Sequence, residues 1–196
     1  MSLANMEWRL MNVHHVVRAW LRAERDSYVA QVQPRTGLSV PEIAALLDNA
    51  DLGNPDQNRA RLRLLYWTRN VFVLEIPPDT EWYEVWNLKH EHTGELLAVN
   101  HANWTDPADK NELHNVAKRK AKPLRKELSE WEPPILWGHD RSGPFTIMEG
   151  NNRLASYASS GRTDLDIPVF VGLSPLKCLY HLPDQTGPLI RDTLWG

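Results

Sequence analysis

The residues best suited to chemistry lie between positions 145 and 153, where a short apolar segment runs directly into a polar loop. Residues 145–148 predict a buried strand and residues 152–160 predict a helix, with Glu149, Gly150, Asn151, Asn152 and Arg153 at the junction. Such a junction points the backbone N–H groups of the first helical turn at one spot, and glycine lets a ligand approach the backbone. Residues 150–153 are therefore predicted to bind an anion, of which phosphate is the usual one.

Arg153 decides how this loop is interpreted. A guanidinium in the first turn of a helix lies at the positive end of the helix dipole, and an anion facing it relieves that conflict. A phosphate would serve, but the carboxylate of Glu149 precedes the same turn and would satisfy Arg153 without any ligand. Both interpretations stay open on the sequence, and Glu149 is also a candidate catalytic carboxylate.

Other polar residues offer weaker candidates. His139 and Asp140 fall in a predicted turn and are candidate catalytic residues that could orient a substrate or a metal-bound phosphate, with ordinary surface residues as the alternative. Residues 118–126 carry six positive charges, which suit the far phosphates of a nucleotide or a nucleic-acid backbone but also a solvated helix end. His90 and His92 lack a further ligand in register, so no metal site is predicted.

The first 69 residues are predicted to be helical. Apolar residues recur at intervals of three and four over residues 5–32, which predicts one long amphipathic helix with Glu24 as an exception on its apolar face. Ser39 and Glu42 form a capping box for a second helix, and Asn54-Pro55 supplies the start of a third.

The remaining residues, 70–196, predict a small mixed β-sheet with helices. Strands are predicted at 71–76, 82–88 and 96–99 as a meander, and then at 135–137, 145–148 and 167–172, the last two as neighbours. Helices are predicted after Asp106-Pro107 and over residues 152–160, with Gly161 as the C-cap. The fold class is therefore α+β, with an N-terminal helical region (1–69) and an α+β domain (70–196).

Composition excludes several classes of protein. With 42% apolar residues the chain can build a core, and nine tryptophans are expected mainly to pack within it. Twenty-two basic against 25 acidic residues give a net charge of −3, so nucleic acid is a less favoured partner. Cys178 is the single cysteine, no apolar run approaches the roughly 18 residues of a membrane span, and no signal-peptide pattern appears, so a cytoplasmic protein is expected.

At the same loop the sequence resembles the ParB/sulfiredoxin superfamily. The resemblance rests on Pro133-Pro134-Ile135, the turn at 141–143, residues 145–153, Ala155 and Ile167-Pro168-Val169, within roughly residues 104–184. In that superfamily a strand leads into a loop of the Asp-Gly-x-His-Arg or Gly-Glu-Arg-Arg type, and loop and helix hold nucleotide phosphates. The resemblance thus implies a ParB/sulfiredoxin-like β-loop-α-β unit, with Gly150 and Arg153 on a phosphate and Glu149 in the place of the acidic residue of a free-serine kinase branch.

Two departures narrow the activities that the resemblance implies. Asn151 stands where sulfiredoxins have cysteine, so reduction of a sulfinic acid is not expected. Asn152 replaces the histidine of the family loop and cannot act as an acid or base near neutral pH. The expected function is binding of a nucleotide or phosphate, with ATP or another nucleotide and Mg²⁺ as the suspected cofactors, in an ATP-dependent phosphotransferase or a nucleotide hydrolase. The alternative is a non-enzymatic regulatory or DNA-associated module in which the loop binds a nucleotide or is only structural.

Overall fold

The structure, a computed structural model, describes residues 3–25, 36–98, 131–160, 163–165, 168–176 and 178. Within these ranges it confirms the α+β class, with four α-helices on a six-stranded mixed sheet. The helices are α1 (Val13–Ala23), α2 (Val40–Asp48), α3 (Pro55–Glu75) and α4 (Asn151–Ser159), with 3₁₀ turns at Leu3–Asn5 and His90–Glu95. The strands are β1 (Trp8–Met11), β2 (Glu81–Val85), β3 (Leu88–Lys89), β4 (Leu96–Ala98), β5 (Ile135–Gly138), β6 (Phe145–Glu149), β7 (Asp164–Leu165) and β8 (Val169–Leu173).

The large sheet has the strand order β1-β2-β8-β5-β6-β4, and β3 pairs separately with β7. The pairs β5–β8 and β4–β6 are parallel, and the other pairs are antiparallel. In this register Val85 lies beside Val169, and Ile135 lies between Phe170 and Glu149. One end of the sheet therefore holds the last residues of β2 and β6 and the first residues of β5 and β8, and it is called here the α4 end. The opposite end holds the β5–β6 turn and is called the hairpin end.

Helices cover both faces of this sheet. On one face, side chains of α4 such as Leu154 and Tyr157 pack with Val85, Leu136 and Ile147 in one buried cluster. On the other face, α1, α2 and α3 pack against residues that alternate with the first set. That second cluster includes Trp20, Trp82, Trp137, Met148 and Cys178. Since each fully buried large apolar side chain contributes about 1.5–3 kcal/mol, these two clusters stabilise the three layers.

Capping side chains fix where the first helices begin. The Asn12 carboxamide accepts the N–H of His14 at 2.9 Å, and α1 starts at Val13. The capping box of Ser39 and Glu42 is confirmed at α2, and the Oδ1 of Asn54 accepts from the first turn of α3, as predicted. None of the helices within the described ranges is both long and apolar enough to cross a lipid bilayer.

The prediction of one helix over residues 5–32 is wrong. Residues 8–11 instead form the edge strand β1, which pairs with β2, and Asn12 separates this strand from α1. The apolar residues whose spacing predicted a helix also fit a short strand. Pairing with β2 favours the strand. Leu10, expected on the buried stripe, is largely exposed.

The strand predicted at 71–76 is also wrong, because α3 continues to Glu75 across a kink at Arg69. A short apolar run before two prolines suits the end of a buried helix as well as a strand, and the preceding helix propagates through it. The predicted boundary between residues 69 and 70 accordingly lies inside α3. In addition, β1 places part of the N-terminal region in the sheet.

The sheet pairing also differs from the prediction. The segments β2 and β4 do not form a meander, because β2 lies between β1 and β8 while β4 pairs in parallel with β6. The strands β6 and β8 share the sheet but are not neighbours, since β5 lies between them. The helix predicted after Asp106-Pro107, the basic residues 118–126 and Gly161 lie outside the described residues.

Two arginines bind the carboxyl end of α2. Arg61, fully buried, donates to the carbonyl of Leu46 at 3.1 Å and to that of Asp51 at 3.0 Å, and also to the carboxamide of Asn58. Arg18 donates to the carbonyl of Leu47 at 2.9 Å. Burial, followed by the nearby charge of Arg18, lowers the pKa of Arg61. Carbonyl groups that end a helix thus bind cationic side chains from α1 and α3.

We expect Arg61→Met to lower the free energy of unfolding by about 2–4 kcal/mol, because it leaves buried carbonyl and carboxamide oxygens without donors. Arg59→Ala is the matched control, since Arg59 lies on the same helix, is mostly exposed and pairs with Asp56 at the surface. It should cost less than about 1 kcal/mol. Urea unfolding followed by circular dichroism compares the two, and equal losses would contradict the role given to Arg61.

Candidate anion-binding site

The junction between β6 and α4 is where the sequence predicted the phosphate loop. Gly150 adopts a left-handed conformation with φ of +96° and is the N-cap residue of α4. Its carbonyl accepts the N–H of Leu154 at 2.9 Å, so the helix begins at Asn151, one residue before the predicted start. Gly150 has no side chain, so the N-cap residue makes no side-chain hydrogen bond to the first-turn N–H groups of α4. The N-cap position therefore supplies no acceptor of the kind that Ser, Asp or Asn would offer.

Glycine is required at position 150 by the fold itself. A Cβ atom there would lie 3.1 Å from Cβ of Pro134 and 3.2 Å from Nη2 of Arg153, and φ lies in the range that favours glycine. The protein, not a ligand, fills the space on this side of the backbone. The missing side chain is thus explained by close packing, and any ligand must approach α4 from another direction.

Arg153 is held by two acceptors. Its Nη2 lies 2.7 Å from Oε1 of Glu149, and its Nη1 donates to the carbonyl of Glu132. Each side chain of the Glu149–Arg153 pair is only 19% exposed. The carboxylate of Glu149 also accepts the N–H of Gly150. The carboxylate of Glu149 is thus an acceptor that faces Arg153, as one of the two interpretations of the sequence requires.

Burial has a direct effect on the acidity of Glu149. Removal from water raises the pKa of its carboxyl group, the charge of Arg153 opposes that rise, and the nearby charge of Glu24 adds to it. The net direction is upward. Glu149 therefore takes up a proton at higher pH than an exposed glutamate does, which is a property of many catalytic acids and bases.

Further ion pairs surround this pair. Glu24 at the end of α1 lies 2.5 Å from the guanidinium of Arg69 at the kink of α3, and Arg22 lies 2.7 Å from the carboxylate of Glu132. The β6–α4 junction is thus connected through charges to α1 and α3. Sequence reasoning did not include these residues, although Glu24 gave a signal as the one charge on an apolar stripe.

The two asparagines of the loop have different surroundings. Asn151 is buried, and its carboxamide nitrogen donates to the carbonyl of Ile147 at 3.3 Å, which fixes the end of β6. Asn152 is exposed in the first turn of α4. Of the two predicted ligand-binding asparagines, only Asn152 presents its side chain to solvent.

The structure does not bring His139 and Asp140, the candidate catalytic residues of the predicted turn, to the loop. They follow β5 at the hairpin end, whereas Glu149 pairs with Ile135 at the other end of that strand. Four residues of extended chain separate Ile135 from His139, which is about 13 Å. The antiparallel pairing of β5 and β6 enforces this separation.

Both hairpin residues have structural partners. A ring nitrogen of His139, Nδ1, lies 3.1 Å from the carbonyl of Ser174, and the ring packs edge-on against Trp137. Asp140 accepts the backbone N–H and the hydroxyl of Ser142, and these bonds lower the pKa of its carboxyl group. This pair closes a turn. Within the described ranges no group of three or more His, Cys, Asp or Glu side chains is arranged to hold a metal ion.

We expect Gly150→Ala to lower the free energy of unfolding by about 2–4 kcal/mol, because it adds crowding against Pro134 and Arg153 to the cost of a positive φ. Gly37→Ala is the matched control, since Gly37 has a φ of +70° but nothing within 4 Å of the added atom. It should cost about 1 kcal/mol. Chemical unfolding of both variants gives the comparison, and equal losses would show that packing at Gly150 is unimportant.

The raised pKa of Glu149 predicts a pH-dependent stability. The folded state holds the proton more tightly than the unfolded chain, so the resulting stabilisation is complete below the ordinary glutamate pKa of about 4.3. It is lost as the pH rises through the raised pKa. The free energy of unfolding of the wild type, minus that of Glu149→Gln, should therefore fall over this range. Urea unfolding at several pH values measures the difference, and a difference that stays constant or grows with pH would exclude a raised pKa.

Comparison of the chain with protein-family models, with curated proteins and with solved structures finds no match in any of the three. The resemblance to the ParB/sulfiredoxin superfamily thus rests on short sequence motifs alone, and the function that it implies is a proposal.

Proposed function

We propose that the chain binds the phosphate of a nucleotide or of a small phosphorylated molecule at the amino end of α4. The observation that carries the proposal is the combination, at one strand-to-helix junction, of a helix start without a capping side chain and the mostly buried Glu149–Arg153 pair. Helix starts of this kind attract anions, and arginine binds phosphate through several N–H groups.

The residues at the junction suit different parts of such a site. The contacts of Arg153 with Glu149 and Glu132 use Nη1 and Nη2, and a guanidinium has five N–H donors in all. The exposed carboxamide of Asn152 offers a further donor in the first turn. Arg153 and Asn152 would bind phosphate oxygens together with the first-turn N–H groups.

Glu149 supports an enzymatic version of this function. Burial raises the pKa of this carboxyl group, and a carboxyl group with a raised pKa beside bound phosphate is suited to general acid–base catalysis. In a phosphotransferase or a nucleotide hydrolase it would take the proton of the attacking hydroxyl or water while the bond from phosphorus to the leaving oxygen breaks. His139 and Asp140 have no part in this step, because they lie at the hairpin end.

The second candidate function is a non-enzymatic regulatory module whose loop is structural. The observation in its favour is that Glu149 and the carbonyl of Glu132 already satisfy Arg153 without a ligand. The two candidates differ in what happens when the carboxylate charge is removed. At an anion site the loss of a like charge strengthens phosphate binding, whereas a purely structural junction binds phosphate in neither case.

Isothermal titration calorimetry with inorganic phosphate, ADP and ATP, each with and without Mg²⁺, tests the proposal. We expect at least one of these to bind the wild type, Glu149→Gln to bind several-fold more tightly, and Arg153→Ala to lose binding. The ligand should also raise stability by about 2.7 kcal/mol at 100 times its Kd.

Arg59→Ala is the control for a change of net charge, since Arg59 pairs with Asp56 on α3. It should bind as the wild type does. Absence of binding by all three ligands would reject the function and favour the structural module. Equal binding by the wild type and Arg153→Ala would reject this site.

A further inference from the structure

A cleft of about 350 Å³ lies at the α4 end of the sheet, between the residues around β1 and those that come after β2. Its walls include Asn5 and Arg9 on one side, and Trp86, Lys89 and His92 on the other. This volume lies within the range of small-molecule sites. None of the residues predicted from the sequence as catalytic or ligand-binding lines it.

His92 is the first indication of a ligand in this cleft. The side chain is buried, and its Nδ1 accepts the backbone N–H of Lys89 at 2.9 Å. Because Nδ1 is an acceptor, the proton of the neutral ring lies on Nε2. Among the described residues Nε2 has no hydrogen-bond partner, and the nearest carboxylate oxygen, from Glu91, is 4.0 Å away. A buried N–H donor in the wall of a cleft is stabilised by a ligand that brings an acceptor.

Trp86 is the second indication. It lines the cleft and is 48% exposed, so its indole ring offers a flat apolar surface on which a planar ligand can stack. The next residue, Asn87, also lines the cleft and has a φ of +64°, the one positive φ outside glycine in the described chain. Asparagine tolerates this conformation better than most residues do, and such positions are often found at ligand sites.

The charges of the cleft favour an uncharged occupant. The carboxylate of Glu84 lies 3.9 Å from the guanidinium of Arg9, and the remaining charges on the walls, Glu7 and Lys89, are of opposite sign. The polar groups that remain are the carboxamides of Asn5 and Asn87 and the N–H of His92. Carboxamides both donate and accept hydrogen bonds, as the edges of nucleobases do.

We propose that this cleft binds a flat heterocycle of the nucleobase class, stacked on Trp86 and accepting a hydrogen bond from Nε2 of His92. The proposal does not depend on phosphate binding at α4. Val85 and Glu149 lie on strands three positions apart in the sheet, which is about 14 Å, so the cleft and the β6–α4 junction are separate sites.

Titration calorimetry with adenosine and cytidine, which carry no phosphate, tests the cleft directly. We expect one of them to bind the wild type and Trp86→Ala to weaken that binding by about 10-fold or more, as loss of base stacking does. Trp67→Ala is the matched control, because Trp67 is also 48% exposed but lies on α3, outside the cleft. It should bind as the wild type does.

A second variant and a spectroscopic signal keep the test independent of folding. Asn87→Gly retains the backbone conformation, removes the carboxamide and should weaken nucleoside binding several-fold with no loss of stability. In ¹⁵N NMR the Nε2 resonance of His92 should shift when the nucleoside is added. Toluene, an uncharged flat ring without hydrogen-bonding groups, should not compete.

Three results would overturn the proposal. These are absence of binding by both nucleosides, equal binding by the wild type and Trp86→Ala, and competition by toluene as effective as that of a nucleoside. Arg153→Ala should bind nucleosides normally. Loss of phosphate binding in that variant with nucleoside binding retained would separate the two sites, and either proposal can fail without the other.

Discussion

The carboxylate of Glu149 is mostly buried at the end of a strand, and the structure around it is organised to balance its charge. Burying an unpaired carboxylate is costly, so Arg153 one helical turn later must face back toward it. That geometry requires the chain to turn sharply at residue 150, where only glycine combines a φ of +96° with close packing against Pro134. The ion pair thus joins the end of β6 to the first turn of α4, whose apolar side chains pack in one of the two cores.

The same requirement connects the junction to the helices on the opposite face. The carbonyl of Glu132 accepts from Arg153 while its carboxylate pairs with Arg22, so the segment before β5 joins α4 to α1. Glu24 raises the pKa of Glu149 and is itself paired with Arg69 at the kink of α3. Protonation of Glu149, or an anion bound nearby, therefore changes the electrostatic interactions that connect the junction to charged residues of α1 and α3.

Short motifs such as helix caps predicted local structure correctly, whereas the pairing of strands that are distant in sequence could not be predicted from them. Capping at Ser39 and Asn54 and the strand-to-helix junction at Gly150 are confirmed because each depends on residues within one turn. The edge strand β1 and the extension of α3 through residues 71–75 were missed, because short apolar runs fit strands and helices equally and their partners decide. His139 was a candidate for orienting a substrate, but antiparallel pairing of β5 and β6 places it at the hairpin end, away from the loop. The sequence marked His92 only as a histidine without further metal ligands, and Trp86 only as one of nine tryptophans expected to pack, because only the fold brings the two residues to one cleft.

The sheet order determines the positions of the two proposed sites. The strand β5 pairs in parallel with β8, while β6 is antiparallel to β5 and β2 is antiparallel to β8. The ends of β2 and β6 therefore lie at the same end of the sheet. Loops at one edge of a sheet are held by rigid strands but are free to vary, which is why binding sites concentrate there. The residues after β6 offer N–H groups and a guanidinium, which suit an anion, whereas those after β2 offer an indole and an imidazole N–H, which suit an uncharged ring. The difference in chemistry arises from the loop residues at the end of each strand, because the framework beneath them is shared.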